Sequence, residues 1–281
     1  MNASAPPFDS QRGLTVDWLV DHHRTKEQQR REMVDALHLR PDDRILDSAC
    51  GPGLWTRLFA EKVLAGGKVI GLDSSPELLD YARASLIDDP LADVMEFVLG
   101  DFHDPPFPSE SFDVVFLGNC LSYISEVDVK GLLHKHKKVT RRGGRVVSKE
   151  FDGATVIFHP LPPALTLKVV ASAARGLEEA PAATAFDNFV GRKTHGMFWK
   201  AGFKNVSTRS YAIQKVPPLT PEAKRYITGN ANWYAQQAAP YLSTDERQQW
   251  EEAFEPGLKQ YILDGEDFYF CMVETVTTGT V

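Results

Sequence analysis

The sequence predicts an α/β fold: a doubly wound, mainly parallel sheet with helices between its strands. Three observations carry that expectation. Short apolar strands alternate with amphipathic helices from residue 44 to residue 151, the rhythm of successive βαβ units. The strands are near-continuous Val/Ile/Leu/Phe runs, as in FDVVFLGN at 112–119, which is how strands covered on both faces read. Glycine punctuates the turns, at Gly51 and Gly53, at Gly66-Gly67 and at Gly143-Gly144. With 281 residues, 43% of them hydrophobic and 25% charged, the chain suits one large domain with an appendage, or two small ones.

Residues 1–12 read as frayed. From Leu14 to Leu39 the spacing is helical, with Trp18, Leu19, Met33, Val34 and Leu37 apolar, until Pro41 stops it. RILDSA (44–49) is a first strand, LWTRLFAEKVLA (54–65) a helix closed by Gly66-Gly67, and KVIGLD (68–73) a second strand. PELLDYARASLID (76–88) is a helix with proline at its start. DVMEFVLGD (93–101) is a third strand, HDPPFPSES a proline-rich loop, and FDVVFLGN a fourth strand. A helix follows over 126–140, then a turn at Arg142-Gly143-Gly144 and a fifth strand, RVVSKEF (145–151). After Asp152 the rhythm loosens. Helices are expected at 165–180 and at 189–202, the latter closed by Gly202, and strands at 205–215 and 268–277. Between those two strands lies an insertion, 217–265, with Tyr226, Trp233, Tyr234 and Trp250. It has too many aromatics for a disordered linker. It reads as a helical pair packed on the sheet, as a substrate cover, or as both.

The charges, 31 basic against 38 acidic for a net of −7, argue against a nucleic-acid backbone or an anionic membrane surface as partner. No stretch reaches the ~18 apolar residues of a membrane span. Cys50, Cys120 and Cys271 lack paired spacing and read as reduced thiols. No basic region followed by an apolar run opens the chain. The expectation is a cytoplasmic protein acting on a small molecule, with a homodimer left open.

The first strand-to-helix turn, DSACGPGLWTRLFA (47–60), asks for a ligand close to the backbone. Such a turn offers amide N–H groups and the positive end of a helix, and glycine removes the side chain that would block approach. A dinucleotide fingerprint needs Gly or Ala three residues after Gly53, where the chain has Thr56. Asp47, four residues before Gly51, would repel a pyrophosphate but can help to hold the ammonium of an amino-acid cofactor.

Here the chain resembles the class I S-adenosylmethionine-dependent methyltransferases, whose first motif reads roughly D/E-x-G-x-G-x-G. Residues 47–53 match it as D-S-A-C-G-P-G, with Ala49 in place of the first glycine. That exchange asks for negative φ at Ala49. The resemblance implies a Rossmann-like seven-stranded sheet of order 3-2-1-4-5-7-6, the last strand antiparallel. It implies S-adenosyl-L-methionine as cofactor, with Asp47, Ala49, Gly51 and Gly53 forming the turn around it. Asp73, with Ser74 beside it, falls where the family binds the ribose hydroxyls. Asp101 would accept from the adenine amino group, with Phe102 along the ring, and Asn119 would line the methionine side. The family often folds an N-terminal helix over the cofactor, which would bring Trp18 and His22 to it; a solvent-exposed helix face is the alternative reading for both. On this reading residues 1–40 are a helical cover, 41–152 the cofactor-binding half, and 153–281 the rest of the sheet with the 217–265 cover.

Methyl transfer from a sulfonium is an in-line displacement that gains from alignment and from a water-poor pocket. A base is needed only for acceptors that keep a proton of high pKa. Candidates are Tyr123, close after Asn119, Glu150 at the end of the fifth strand, and His195; Asp152 and His159 are weaker ones. HKHKKVTRR (134–142) is read as a solvated helix end. His134 and His136 share no helix face, no paired cysteines are present, and no metal is expected. The branch most resembled includes quinone-biosynthesis and natural-product enzymes. The aromatic insertion and the lack of a basic groove point to a small, largely apolar or aromatic acceptor, with oxygen favoured over carbon or nitrogen as asking least of the site. Two alternatives remain: a non-methylating enzyme using the sulfonium as a fixed charge for rearrangement or cyclisation, and a nicotinamide-dependent oxidoreductase.

Overall fold

The computed structural model describes residues 15–63, 66–180 and 186–281. The expected fraying of 1–12, and Leu14 at the head of the first helix, lie outside these. Helix α1, Val16–Asp35, starts at Thr15, whose hydroxyl accepts from the Trp18 amide at 3.2 Å. The chain then alternates β1 (Arg44–Ser48), α2 (Leu54–Ala60), β2 (Lys68–Asp73), α3 (Pro76–Ala84), β3 (Met95–Leu99), β4 (Phe112–Gly118), α4 (Glu126–Val139) and β5 (Thr140–His159). It continues with α5 (Pro163–Glu178), α6 (Thr194–Lys200), β6 (Lys204–Lys215), α7 (Pro221–Ala238), α8 (Thr244–Phe254) and β7 (Tyr269–Thr280).

The strands form one sheet of order β3-β2-β1-β4-β5-β7-β6. β1 to β5 are parallel, and β7 runs antiparallel between β5 and β6. Neighbouring residues in the central strands feed opposite cores. Ile45, Val114, Phe116 and Val147 pack with α1, α2, α5, α7 and α8. Leu46, Val115, Leu117 and Val146 pack with α4 and α6. Covering on both faces explains the apolar runs.

Three local expectations are corrected. β5 continues eight residues beyond the expected end at Phe151, to His159, through a break in register between Asp152 and Ile157. Pairing with β7, Phe158 opposite Phe270 and His159 opposite Tyr269, carries it on. The turn at Arg142-Gly143-Gly144 lies within that strand: Gly143 takes φ +76° while its amide donates to the Val281 carbonyl. The helix expected over 189–202 divides into a 3-10 turn, Val190–Lys193, and α6.

The insertion 217–265 supplies α7 and α8. α7 packs on α5 and α1. Tyr226, Tyr234 and Trp250 are buried in the core it shares with the sheet. α8 begins with a reciprocal capping box between Ser243 and Glu246. Among the described residues no helix is long and apolar enough to cross a membrane.

Candidate active site

The sheet reverses its direction of winding between β1 and β4, and in open α/β sheets ligands bind beyond the carboxyl ends of the strands at that point. The loops there come from Ala49–Gly53, Ser74, Asp101–His103 and Asn119–Tyr123.

In the glycine turn three residues out of five have positive φ: Ala49 (+59°), Gly51 (+54°) and Gly53 (+76°). Negative φ at Ala49 is therefore corrected. An L-residue in the left-handed region costs ~1–2 kcal/mol, and the flanking bonds hold it there. The Cys50 amide donates to Leu72 O at 2.9 Å and the Gly53 amide to Cys50 O at 3.1 Å. The two glycines do different work. A Cβ at Gly51 would meet nothing nearer than Leu78 at 4.0 Å, so the backbone is open to a ligand. A Cβ at Gly53 would lie 2.7 Å from the Phe97 ring, so that glycine admits the close packing of α2 on the sheet.

Asp73 ends β2, 9% exposed. Its oxygens accept the Gly51 amide at 2.8 Å and the Ser75 amide at 2.9 Å, while burial pushes its pKa up. Ser74 is exposed beside it. Asp101 is exposed beyond β3 and accepts the His103 amide at 2.8 Å. Phe102 lies against the His103 ring at 4.3 Å. These groups and the open backbone at Gly51 match a nucleoside in kind: acceptors for a ribose diol and an exocyclic amine, a ring platform, and no cationic side chain among them.

Asp47 is placed differently from expectation. It is 1% exposed and accepts the Thr56 hydroxyl at 2.6 Å, which fastens β1 to the first turn of α2. Burial pushes its pKa up to about 7. It supports the turn from beneath rather than opening on the groove where an ammonium would sit.

Glu150 is fully buried, and its Oε1 accepts the amides of Cys120 (2.9 Å) and Leu121 (2.8 Å), with burial pushing its pKa up to about 8. It fixes the loop after β4 and is not exposed as a base. His195 opens α6 and shares a 3.2 Å hydrogen bond with Thr208 on β6. β6 is the outer strand, three strand spacings of about 4.8 Å from β4, so His195 is not brought to the other candidates. Trp18 and His22 stack on Tyr226 of α7 (ring centroids 5.7 and 5.1 Å) and tie α1 to α7. His134 is exposed, but His136 is buried and bonded to Ser48 Oγ at 2.9 Å, so the run at 134–142 is not solvated throughout. His159 and Asp152 are engaged with Asp267 (3.9 Å) and Arg192 (2.6 Å). Among the described residues no His/Cys/Asp/Glu group could hold a metal ion.

Tyr123 is 41% exposed just past β4, at the carboxyl edge of the sheet. It heads an aromatic wall that sequence reasoning missed. Its ring meets Phe186 at 5.1 Å, and Phe186 meets Phe151 of β5 at 6.2 Å and Trp233 of α7 at 5.8 Å. The Asp187 amide donates to Ser122 O at 2.8 Å, and Tyr234 Oη donates to Gly153 O at 2.7 Å. These bonds hold the segment after Phe186, and α7, against the β4 and β5 ends.

A buried charged cluster joining Asn119, Lys149 of β5, Glu274 of β7 and Lys26 of α1 was also missed. Asn119, at φ +57°, accepts at Oδ1 from Lys149 Nζ at 3.0 Å. Lys149 Nζ reaches Glu274 Oε1 at 2.7 Å, and Lys26 of α1 reaches the same oxygen at 2.5 Å. Lys26 also meets His22 Nε2 at 2.7 Å. Burial pushes Lys26 down to about 7. Burial alone would raise Glu274, but Lys149, Lys26 and Arg30 hold it down to about 2. Glu274 Oε2 and Arg30 Nε are buried without a partner among the described residues. The available signal was charge where burial is expected: His22, Lys26 and Arg30 at i, i+4 and i+8 on one helix face, Lys149 inside RVVSKEF, and Glu274 inside FYFCMVETVT.

Residues 45–144 match a family described as a methyltransferase domain. A demethylmenaquinone methyltransferase from Symbiobacterium thermophilum is 38% identical over 120 residues, 43% of this chain and 47% of that protein. A demethylmenaquinone methyltransferase from Oceanobacillus iheyensis is 30% identical over 192 residues, 65% of this chain and 78% of that protein. A ubiquinone/menaquinone biosynthesis C-methyltransferase from Methylococcus capsulatus is 34% identical over 123 residues, 44% of this chain and 49% of that protein. The chain spans half or less of the length of the first curated relatives it matches. Among solved structures, YcgJ from Bacillus subtilis superposes with a TM-score of 0.58 at 16% identity, over 92% of this chain and 98% of that one. At that identity the likeness is one of fold.

Proposed function

Because the chain belongs to the class I S-adenosylmethionine-dependent methyltransferases, with S-adenosylmethionine as cofactor, we propose that it methylates a small, largely apolar or aromatic acceptor. The observation that carries this reading is the convergence of Asp73, Asp101, Asn119 and the open turn at Gly51 on the carboxyl edge of the sheet, next to the wall of Tyr123, Phe186, Phe151 and Trp233.

When bound, the cofactor supplies a sulfonium-activated methyl group for in-line displacement. The chain's residues bind and orient. Each Asp73 oxygen accepts one amide and keeps acceptor capacity for a ribose hydroxyl. Asp101 keeps Oδ2 for an exocyclic amine, and Phe102 offers a ring face. The aromatic wall suits a flat, apolar acceptor and excludes water, and alignment of this kind is worth up to ~7–11 kcal/mol in favourable cases.

Glu150 is committed to two amides and His195 of α6 is bonded to Thr208 on the outer strand, leaving Tyr123 as the titratable side chain in the wall. An acceptor that loses its proton readily, a phenol or enol, fits such a site. Oxygen is accordingly the atom we favour. Carbon is the second reading, supported by the relative named a quinone-biosynthesis C-methyltransferase, since a phenol or quinol is also nucleophilic at ring carbon. The sulfonium-assisted alternative differs in leaving no demethylated cofactor.

The test is thermal unfolding with and without S-adenosylmethionine or S-adenosylhomocysteine. A ligand at 100 times its Kd stabilises by ~2.7 kcal/mol. At ~2.1 cal/mol/K per residue over 281 residues that is a rise of about 4–5 °C. Asp73→Ala should remove most of it. No shift at saturating ligand would end the proposal. Turnover of a phenol and quinol panel with labelled cofactor, read by mass spectrometry, separates O- from C-methylation and both from a reaction that releases no S-adenosylhomocysteine.

A further inference from the structure

The hydrogen bond between Lys149 and Asn119 carries an inference that rests on the cofactor reading above and deepens it. An ammonium donates only, so the Asn119 atom it meets at 3.0 Å is the carbonyl oxygen. The carboxamide is thereby fixed: its Nδ2, with two N–H donors, is directed away from Lys149. No acceptor meets Nδ2 among the described residues, and Asn119 is half-buried at the tip of β4. Lys149 in turn is held. Its ammonium shares Glu274 Oε1 with Lys26, at 2.7 and 2.5 Å, and Lys26 abuts His22 on the same helix. A chain of polar contacts thus runs from Asn119 to α1, and all three central side chains are at most 2% exposed.

The order of groups along the sheet edge says what faces those donors. Asp101 stands beyond β3, Asp73 ends β2, the glycine turn follows β1, and Asn119 tips β4. On the cofactor reading, base and ribose would occupy the β3–β2 side, and the amino-acid half would lie toward β4. That half carries one strong acceptor, a carboxylate, and Lys149, Lys26 and Arg30 make the region behind Asn119 cationic. We propose that Lys149 is a positioning residue that turns the Asn119 N–H donors onto the carboxylate of the cofactor's amino-acid half.

The test is calorimetric titration of the full chain with two probes: S-adenosylhomocysteine, which has the carboxylate, and 5′-methylthioadenosine, which lacks it. Asn119→Asp keeps an oxygen for Lys149 and deletes the donors. It should weaken S-adenosylhomocysteine tenfold or more and leave methylthioadenosine within twofold. Lys149→Met frees the carboxamide to flip. It should weaken S-adenosylhomocysteine three- to tenfold, again sparing methylthioadenosine, and combine non-additively with Asn119→Asp. Should Lys149→Met fail to fold, Lys149→Gln, whose amide can both donate and accept and so no longer fixes which way the Asn119 carboxamide faces, takes its place with the same expected loss. The inference is overturned if Asn119→Asp leaves S-adenosylhomocysteine within twofold or tightens it, since tightening would put Oδ1 against the ammonium. It is overturned equally if both probes weaken alike, or if Lys149→Met lowers only the melting temperature. Wild-type protein that binds neither probe refutes the cofactor reading instead.

Discussion

Replacing Glu274 by Gln tests whether the charged cluster is a paired unit. Glu274 Oε1 accepts from Lys26 at 2.5 Å and from Lys149 at 2.7 Å, and all three side chains are 0–2% exposed. Glutamine keeps a carbonyl oxygen of the same reach but removes the one carboxylate that, among the described residues, pairs with both ammonium groups. Removing one partner of a buried ion pair costs ~3–5 kcal/mol, because the remaining charge is left uncompensated. The unfolding entropy is ~2.1 cal/mol/K per residue, or about 0.6 kcal/mol per degree over 281 residues, so the melting temperature should fall by about 5–8 °C. Glu274 is held down to about 2, below its ordinary 4.5. Its contribution is therefore complete above about pH 4.5 and lost as pH falls through 2, and calorimetry at pH 6, below the value of about 7 to which burial lowers Lys26, reads the whole of it. A triple variant, Glu274→Leu with Lys26→Met and Lys149→Met, should recover most of the loss, since apolar replacement of a buried ion-pair cluster is often neutral. A fall under 2 °C for Glu274→Gln, or no recovery in the triple variant, would refute the argument.

Three further outcomes follow from the same geometry. Ala49→Gly should relieve the left-handed strain at φ +59°, less the entropy glycine gains in the unfolded chain; a net gain of ~0.5–1 kcal/mol means a rise of about 1–2 °C by calorimetry, and a fall would show that the strain is not there. Glu150 has its pKa raised to about 8 by burial, so the native state prefers it protonated and stability should decline as pH rises from about 4.5 to 8. Glu150→Gln keeps the oxygen that accepts the Cys120 and Leu121 amides, and denaturant titrations across that window should show a flatter profile than wild type. His195→Ala, on α6 against the outer strand, should leave methyl transfer within twofold and stability within ~0.5 kcal/mol; a hundredfold loss of turnover would place that histidine in the chemistry after all.

The order of strands and helices, the glycine turn, and the acids ending β2 and following β3 were all legible in the chain. Each is a local signal: apolar runs, prolines at helix starts, and polar residues at strand ends, where the backbone leaves the core. What a side chain does once it reaches the strand end was not legible. Asp47, Glu150 and Asn119 have the same standing in sequence. In the structure Asp47 anchors α2, Glu150 clamps the loop after β4, and Asn119 is oriented by Lys149.

By itself, then, the amino-acid sequence determined a doubly wound sheet with a nucleoside-shaped turn at its centre, because periodicity and turn chemistry act over a few neighbouring residues. Tertiary structure decided which candidates meet. Lys26 and Glu274 lie 248 residues apart in the chain yet share a hydrogen bond, and His195 of α6, chosen for its chemistry, is bonded to the outer strand. The physical reason is that burial and partnership set the charge and direction of a polar group, and both belong to the packed whole.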